Sequence, residues 1–159
     1  MEINVLVDPA FEKDLEADWL LGIARYALTA QGTDANAEMG LAITNQQTIQ
    51  ELNRDYLGKD EPTDVLAFYM LPKAGEGVAE DTPFVPPPDG MLHLGEVIIS
   101  YPQALIQAEE HHHSVKQEIA ILTIHGVLHL LGYDHAEPEQ QSQMSAEAAA
   151  ILSSIQDTI

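Results

Sequence analysis

Apolar positions recur along this chain at two different spacings, and the first of these is the spacing of β-strands. Short segments of alternating or continuous apolar character predict four strands, which cover Glu2–Val7, Glu38–Thr44, Thr63–Met70 and His93–Ser100. The third, TDVLAFYM, is so dense in apolar residues that we expect it at the centre of the sheet. The pattern therefore predicts one sheet of about four strands.

The second spacing, with apolar residues three or four positions apart, predicts about five helices. Capping residues or proline mark where most of them begin. In chain order, the predicted helices are Phe11–Ala30 and the segments that begin at Asn45, Ser100, Ser114 and Glu137. Because helices cross between strands, the pattern indicates an α/β or α+β fold. Residues 1–159 are expected to form a single domain, with the helices packed on one sheet.

One long segment, Leu71–Gly90, fits neither spacing and contains several prolines. A connection of this length inside a compact domain is often functional, so it could form a wall or lid beside a cleft. Because lengthening a surface loop costs little free energy, it could equally be a tolerated insertion. Both interpretations stay open at this point.

Composition and charge narrow the class of protein. Apolar residues make up 45% of the 159 residues, and the absence of cysteine excludes disulfides, thiolate zinc sites and cysteine nucleophiles. The N-terminus lacks a basic flank and the longest apolar stretch, Ile119–Gly132, is too short to span a bilayer. We therefore expect a soluble cytoplasmic protein with no membrane partner. Six Lys and Arg residues against 26 Asp and Glu give a formal net charge of −20, so an anionic substrate would need a local positive centre.

The segment HGVLHLLGYDH contains the strongest candidate chemistry. His125 and His129 are four residues apart on a predicted helix, so their side chains lie on one face. Gly132 is suited to end that helix, and a reversed chain could bring His135 towards the same point. Three neutral imidazoles with an open fourth position predict a catalytic zinc site with one Zn²⁺ per chain. Such an ion can activate water or polarise a phosphoryl oxygen.

The histidine spacing matches that of the metzincin proteases, with one difference. In those enzymes a glutamate that follows the first histidine is the general base, whereas this chain has Gly126 there. A zinc peptidase is therefore an alternative function that Gly126 argues against. A closed structural site with a carboxylate as fourth ligand is a further alternative. The sequence assigns no catalytic acid or base.

Three segments together make the chain similar to a known family. In chain order they are LNRDYLGKDEPTDVLAF over Leu52–Phe68, HLGEVIIS over His93–Ser100, and HGVLHLLGYDH over His125–His135. In this order and separation they resemble the YbeY family of bacterial metal-dependent endoribonucleases. The resemblance implies a zinc ion held by His125, His129 and His135, and a small mixed sheet flanked by helices.

The resemblance also implies a substrate and partners. The family is linked to ribosomal RNA maturation, including the 3′ end of 16S ribosomal RNA, and to ribosome quality control. The implied substrate is single-stranded RNA, the implied partners are ribosomal RNA or the ribosome, and no dinucleotide cofactor is implied. Because a net charge of −20 opposes the capture of long RNA, we expect docking on a ribonucleoprotein or on a partner to supply affinity.

The chain departs from the family pattern at one position. The family usually has arginine directly after the tyrosine that here is Tyr56, and this chain has Leu57. That arginine is thought to help catalysis or RNA binding, and Arg54 or Lys59 could supply a cation instead. The absence of arginine favours another alternative, a non-catalytic zinc-stabilised module that binds the ribosome.

Two further groups of residues are interpreted from their positions alone. The run His111–His113 lies between two predicted helices, where exposed histidines are favoured by the helix dipole. Glu118 is seven residues before His125, so it could accept a hydrogen bond from a metal-ligating imidazole or simply be solvated.

Overall fold

Strands and helices alternate along the first part of the chain, and three consecutive helices follow the last strand. The computed structural model describes residues 1–69, 92–133 and 138–156, so the predicted loop Leu71–Gly90 lies outside the described residues. The elements are β1 (Glu2–Val7), α1 (Ala17–Ala30), β2 (Ala37–Thr44), α2 (Gln46–Leu57), β3 (Val65–Tyr69), β4 (Leu92–Ser100), α3 (Tyr101–Glu110), α4 (Val115–Leu130) and α5 (Pro138–Ser154).

The four strands form one mixed sheet in the order β1-β2-β4-β3. β1, β2 and β4 are parallel, with Val5 beside Leu41 and Leu41 beside Val97, whereas β3 runs antiparallel to β4. The predicted fold class, a small mixed sheet with about five helices, is confirmed.

The prediction that the TDVLAFYM strand is central was wrong, because within the described residues β3 is an edge strand of the sheet. Its apolar density has another physical cause. Val65 and Ala67 pack against the main core, whereas Leu66 and Phe68 belong to a smaller cluster on the other face. Both faces of β3 are therefore covered by other parts of the protein, although among the residues that the structure describes only one of its edges is paired with a strand.

The helices divide between the two faces of the sheet. Val97 and Ile99 of β4 point into the main core, which α1, α4 and α5 complete. Ile98 points to the opposite face, where it packs with Ile49 of α2. α4 is thus buried against the sheet, and α2 covers the other face. Among the described residues no helix has both the length and the apolar character needed to cross a membrane.

Side-chain caps begin three helices where the sequence predicts them, and one of these caps is Ser100, whose hydroxyl accepts a hydrogen bond from the Gln103 amide at 3.3 Å. Asn45 accepts a hydrogen bond from the Thr48 amide at 2.8 Å, and Ser114 caps α4 in the same way. The first predicted helix is shorter than expected, since α1 begins at Ala17 and not at Phe11. The residues before it form turns instead, with the Leu15 amide bonded to the Phe11 carbonyl at 3.1 Å.

Candidate metal centre

The two histidines of the predicted zinc helix lie on α4, which is the most buried helix of the protein in its central turns. Residues on most sides of it, such as Ile124 and Leu128, are fully buried, whereas His125 and His129 are half-buried. Because they are one helical turn apart, the rigid helix presents both imidazoles on the same side. The third predicted ligand, His135, lies outside the described residues.

Gly126, which stands where a metzincin protease has its glutamate base, is a point of close packing. A Cβ atom added at Gly126 would lie 2.4 Å from Cγ1 of Val97 on β4, closer than any real contact allows. α4 therefore approaches the sheet so closely at this position that no side chain fits. The missing base follows from the packing of the helix, and a glutamate at this position would force the helix away from the sheet.

The end of α4 orients one of the candidate ligands. The chain turns at Gly132, whose φ of 103° favours glycine, and the Tyr133 carbonyl oxygen comes to lie 3.0 Å from Nδ1 of His129. A carbonyl oxygen can only accept, so Nδ1 is the donor in this contact, and in the neutral imidazole this tautomer leaves the lone pair that a metal ion requires on Nε2. His129 in this tautomer therefore fits the role of a metal ligand, since divalent transition metals bind neutral imidazole.

Tyr133 is itself anchored by its hydroxyl group. The hydroxyl donates a 2.9 Å hydrogen bond to Oε1 of Gln31 at the end of α1, and Nε2 of the same Gln31 side chain donates to Oε2 of Glu147 on α5 at 3.0 Å. Burial, with the negative charge of Glu147, raises the pKa of Tyr133. The turn that holds the His129 ring is therefore tied to two other helices.

A hollow of about 220 Å³ lies beside His125, between α4 and α5. Its walls are mostly apolar, and His125 and Ser145 are the two polar residues that line it. The lining residues are Ile121, Ile124, His125, Ser145, Ala148, Ala149 and Leu152. An apolar hollow next to a candidate metal ligand offers space for the flat face of a small group.

Leu57, where the chain departs from the family pattern, lies on α2 and not on the side of the sheet that α4 covers. Leu57 is 54% exposed at the end of α2, the helix on the opposite face of the sheet. Its neighbour Tyr56 packs edge-on against Phe68, with ring centroids 5.4 Å apart. Arg54, one of the candidate replacement cations, forms an ion pair with Asp55 at 3.1 Å.

The structure brings together a second group of possible ligands that the sequence interpretation missed. Nitrogen and oxygen atoms of His111, His113 and Glu118 all lie within 4.8 Å of one another, so these residues could hold a metal ion. Glu118 is only 2% exposed and accepts a 2.9 Å hydrogen bond from Gln107, so neither solvation nor support of His125 describes it. The sequence signal for this group was a run of three histidines directly before the Ser114 cap, with Glu118 in the first turn of the helix that follows.

The pKa of Glu118 reflects these contacts. Burial alone would raise it, but hydrogen bonds with Gln107, His113 and His111 outweigh burial, so the pKa lies below its ordinary value. The carboxylate is therefore held in its charged form inside the protein.

Comparison with known proteins identifies the family. A family model described as Endoribonuclease YbeY matches residues 8–156. Proteins named Endoribonuclease YbeY include one from Dehalococcoides mccartyi, 50% identical over all of this chain and 92% of its own length, and one from Chloroflexus aggregans, 40% identical over 96% of this chain and 95% of its own. A solution structure of a Thermotoga maritima protein has the same fold, with a TM-score of 0.60 and 19% identity over 98% of this chain and 93% of that one. The extent of these matches shows that this chain belongs to the YbeY endoribonuclease family.

Proposed function

We propose that this member of the YbeY endoribonuclease family cleaves single-stranded RNA with the help of one zinc ion held by His125, His129 and His135. The observation that carries the proposal is the 3.0 Å contact between Nδ1 of His129 and the Tyr133 carbonyl oxygen. This contact selects the imidazole form that binds metals, on a helix that also presents His125. We further propose that residues 1–159 form one catalytic domain.

The chain's own residues supply positioning rather than proton transfer at this centre. A bound divalent ion would act as a Lewis acid towards a phosphodiester. His125 and His129 are held in place because α4 is packed between the sheet and three other helices. The close approach of Gly126 to Val97 leaves no room for a carboxylate side chain at position 126, directly after His125. The proposal therefore assigns no general base to α4.

We propose that the physiological substrate is ribosomal RNA, including the 3′ end of 16S ribosomal RNA, and that the enzyme works in the cytoplasm on the ribosome. The net charge of −20 supports a requirement for a partner, because the protein's field repels free RNA. A positive metal centre acts only over short distances, so docking on a ribonucleoprotein would bring the RNA within its reach.

Metal analysis combined with RNA cleavage tests the proposal. Purified protein, dialysed at low free zinc, should retain one tightly held equivalent and cleave single-stranded RNA. His129→Ala should lose both the equivalent and the cleavage, whereas His112→Asn, which removes an exposed histidine, should keep both. Full zinc content in His129→Ala would contradict the assignment of ligands.

Two alternative functions make different predictions in the same assays. A non-catalytic module that binds the ribosome is favoured by the uncharged Leu57, and it would retain zinc without cleaving RNA. A zinc peptidase would hydrolyse casein, which the contact between Gly126 and Val97 argues against because it excludes the glutamate base. RNA cleavage that depends on His129 would exclude both.

A further inference from the structure

The corner between α3 and α4 brings two imidazoles to one buried carboxylate. Nε2 of His113 lies 2.5 Å and Nδ1 of His111 lies 3.4 Å from Oε2 of Glu118. The corner is formed by His112, whose φ of 57° is left-handed and reverses the chain between the two helices. As a result the rings of His111 and His113 are 5.5 Å apart, and both are beside the first turn of α4.

We propose that His111, His113 and Glu118 form a second metal site, which binds a divalent transition metal such as zinc and clamps the end of α3 to the start of α4. Two imidazoles and one carboxylate are a donor set that zinc and similar metals use in proteins. The site is separate from the one proposed at His125, since Glu118 is seven residues, or roughly 10 Å, earlier on the same helix.

The distances from Glu118 to the two imidazoles are close to those that a metal ion requires. Zinc binds imidazole nitrogen and carboxylate oxygen at about 2.0–2.2 Å, so neighbouring donors on a tetrahedral ion are about 3.4 Å apart. Glu118 and His111 already have this separation, at 3.4 Å. Glu118 and His113 would separate by about 0.9 Å from their 2.5 Å hydrogen bond, a shift that side-chain rotation can supply.

The carboxylate is oriented by residues that do not bind the metal. Nε2 of Gln107 donates to Oε1 of Glu118 at 2.9 Å and to Oδ2 of Asp64 at 3.3 Å. Oε1 of Gln107 in turn accepts from Nε2 of Gln103 at 3.2 Å, so the direction of the Gln107 side-chain amide is set. Oε2 of Glu118 is consequently directed to the two histidines, as outer hydrogen bonds direct ligands in metal sites.

Burial and charge also favour a cation at this position. Glu118 is 2% exposed, and a buried carboxylate needs compensating positive charge or hydrogen-bond donors. His111 has a side chain that is 56% exposed, so the group is open to solvent on one side and an ion can enter. The net charge of −20 raises the local concentration of cations around the whole protein.

Zinc titration of metal-free protein tests the proposal. Calorimetry and elemental analysis of the wild-type chain should give a second equivalent beyond that proposed at His129, and this equivalent should raise the melting temperature. His111→Asn should weaken the second equivalent at least about tenfold and abolish its effect on the melting temperature. Because His111 is exposed, this change leaves the core intact. Co²⁺ in place of Zn²⁺ should give a visible absorption spectrum that His111→Asn alters.

Matched variants separate this site from the first. His112→Asn removes the neighbouring exposed histidine, and asparagine tolerates its left-handed φ, so this variant should bind as wild type. His129→Ala should lose the first equivalent and keep the second, so the two proposals can fail independently. A second equivalent that is absent from the wild type, or that His111→Asn leaves unchanged, would overturn the proposal and leave Glu118 as the acceptor of a purely structural hydrogen-bond cluster.

Discussion

Nδ1 of His129 and the carbonyl oxygen of Tyr133 lie 3.0 Å apart, so the chain that leaves α4 sets the tautomer of an imidazole on that helix. The contact uses a backbone atom, and its position depends on the turn at Gly132 and on the anchored Tyr133 side chain. The orientation of the candidate ligand is therefore coupled to the packing of α1 and α5 against this turn.

Tyr133→Phe tests that coupling. It removes the hydroxyl that donates to Gln31, and loss of one partly buried hydrogen bond should lower the free energy of unfolding by about 1 kcal/mol. Zinc affinity should fall as well, because the turn that holds His129 becomes less rigid. Urea unfolding and zinc titration measure the two effects. Tyr26→Phe, at an exposed tyrosine of α1, is the control and should change neither. Unchanged zinc affinity in Tyr133→Phe would mean that the backbone turn needs no side-chain anchor.

Gly126→Ala should destabilise the protein even though alanine favours helices. The added methyl group would meet Val97 at 2.4 Å, and overpacking of this kind costs about 1–3 kcal/mol. Gly22→Ala in α1 is the matched control, because nothing lies within 4 Å of its added Cβ atom. That variant should gain up to about 1 kcal/mol from helix propensity. Urea denaturation of both variants measures the contrast, and equal effects would contradict the packing explanation.

The charged state of Glu118 should make stability depend on pH in the acid range. Because its pKa is lowered in the folded protein, the group contributes stability above its unfolded pKa, about 4.5, and this contribution is lost as pH falls through the folded pKa. In metal-free buffer, the difference in unfolding free energy between wild type and Glu118→Gln should be largest near neutral pH and shrink below pH 4.5. Urea unfolding at several pH values measures this difference; a constant difference would show that the charge of Glu118 is not involved.

Leu57→Arg tests the departure from the family pattern. If a cation at this position assists the reaction, the variant should cleave short single-stranded RNA about tenfold faster or more, because a positive charge stabilises the phosphate charge that develops in the transition state. Leu57 is 54% exposed, so arginine is expected to leave stability and zinc content unchanged. Leu57→Gln has similar length without the charge and should not increase the rate. Arg54→Ala shows whether Arg54 already supplies the cation, in which case its rate should fall. An unchanged rate in Leu57→Arg would exclude a catalytic effect of charge at this position.

The local elements of this protein follow from its sequence because their causes are local. The spacing of apolar residues predicts where β1, β2 and β4 lie. The side chains of Asn45 and Ser114 each cap a helix by accepting a hydrogen bond from an amide only three residues further along the chain. The shared face of His125 and His129 likewise follows from the helical repeat alone. The resemblance in three short segments was sufficient for the family, which the comparisons confirm.

Other features depend on distances between elements that are far apart in the sequence. A high density of apolar residues is expected both for a central strand and for an edge strand that is covered on both faces. The position of β3 therefore followed only from the order of strands in the folded sheet. The role of Gly126 depends on how closely α4 approaches Val97, and the group of His111, His113 and Glu118 depends on the reversal of the chain at His112. Periodicity and capping describe one element at a time, whereas these contacts exist only after the elements have packed together.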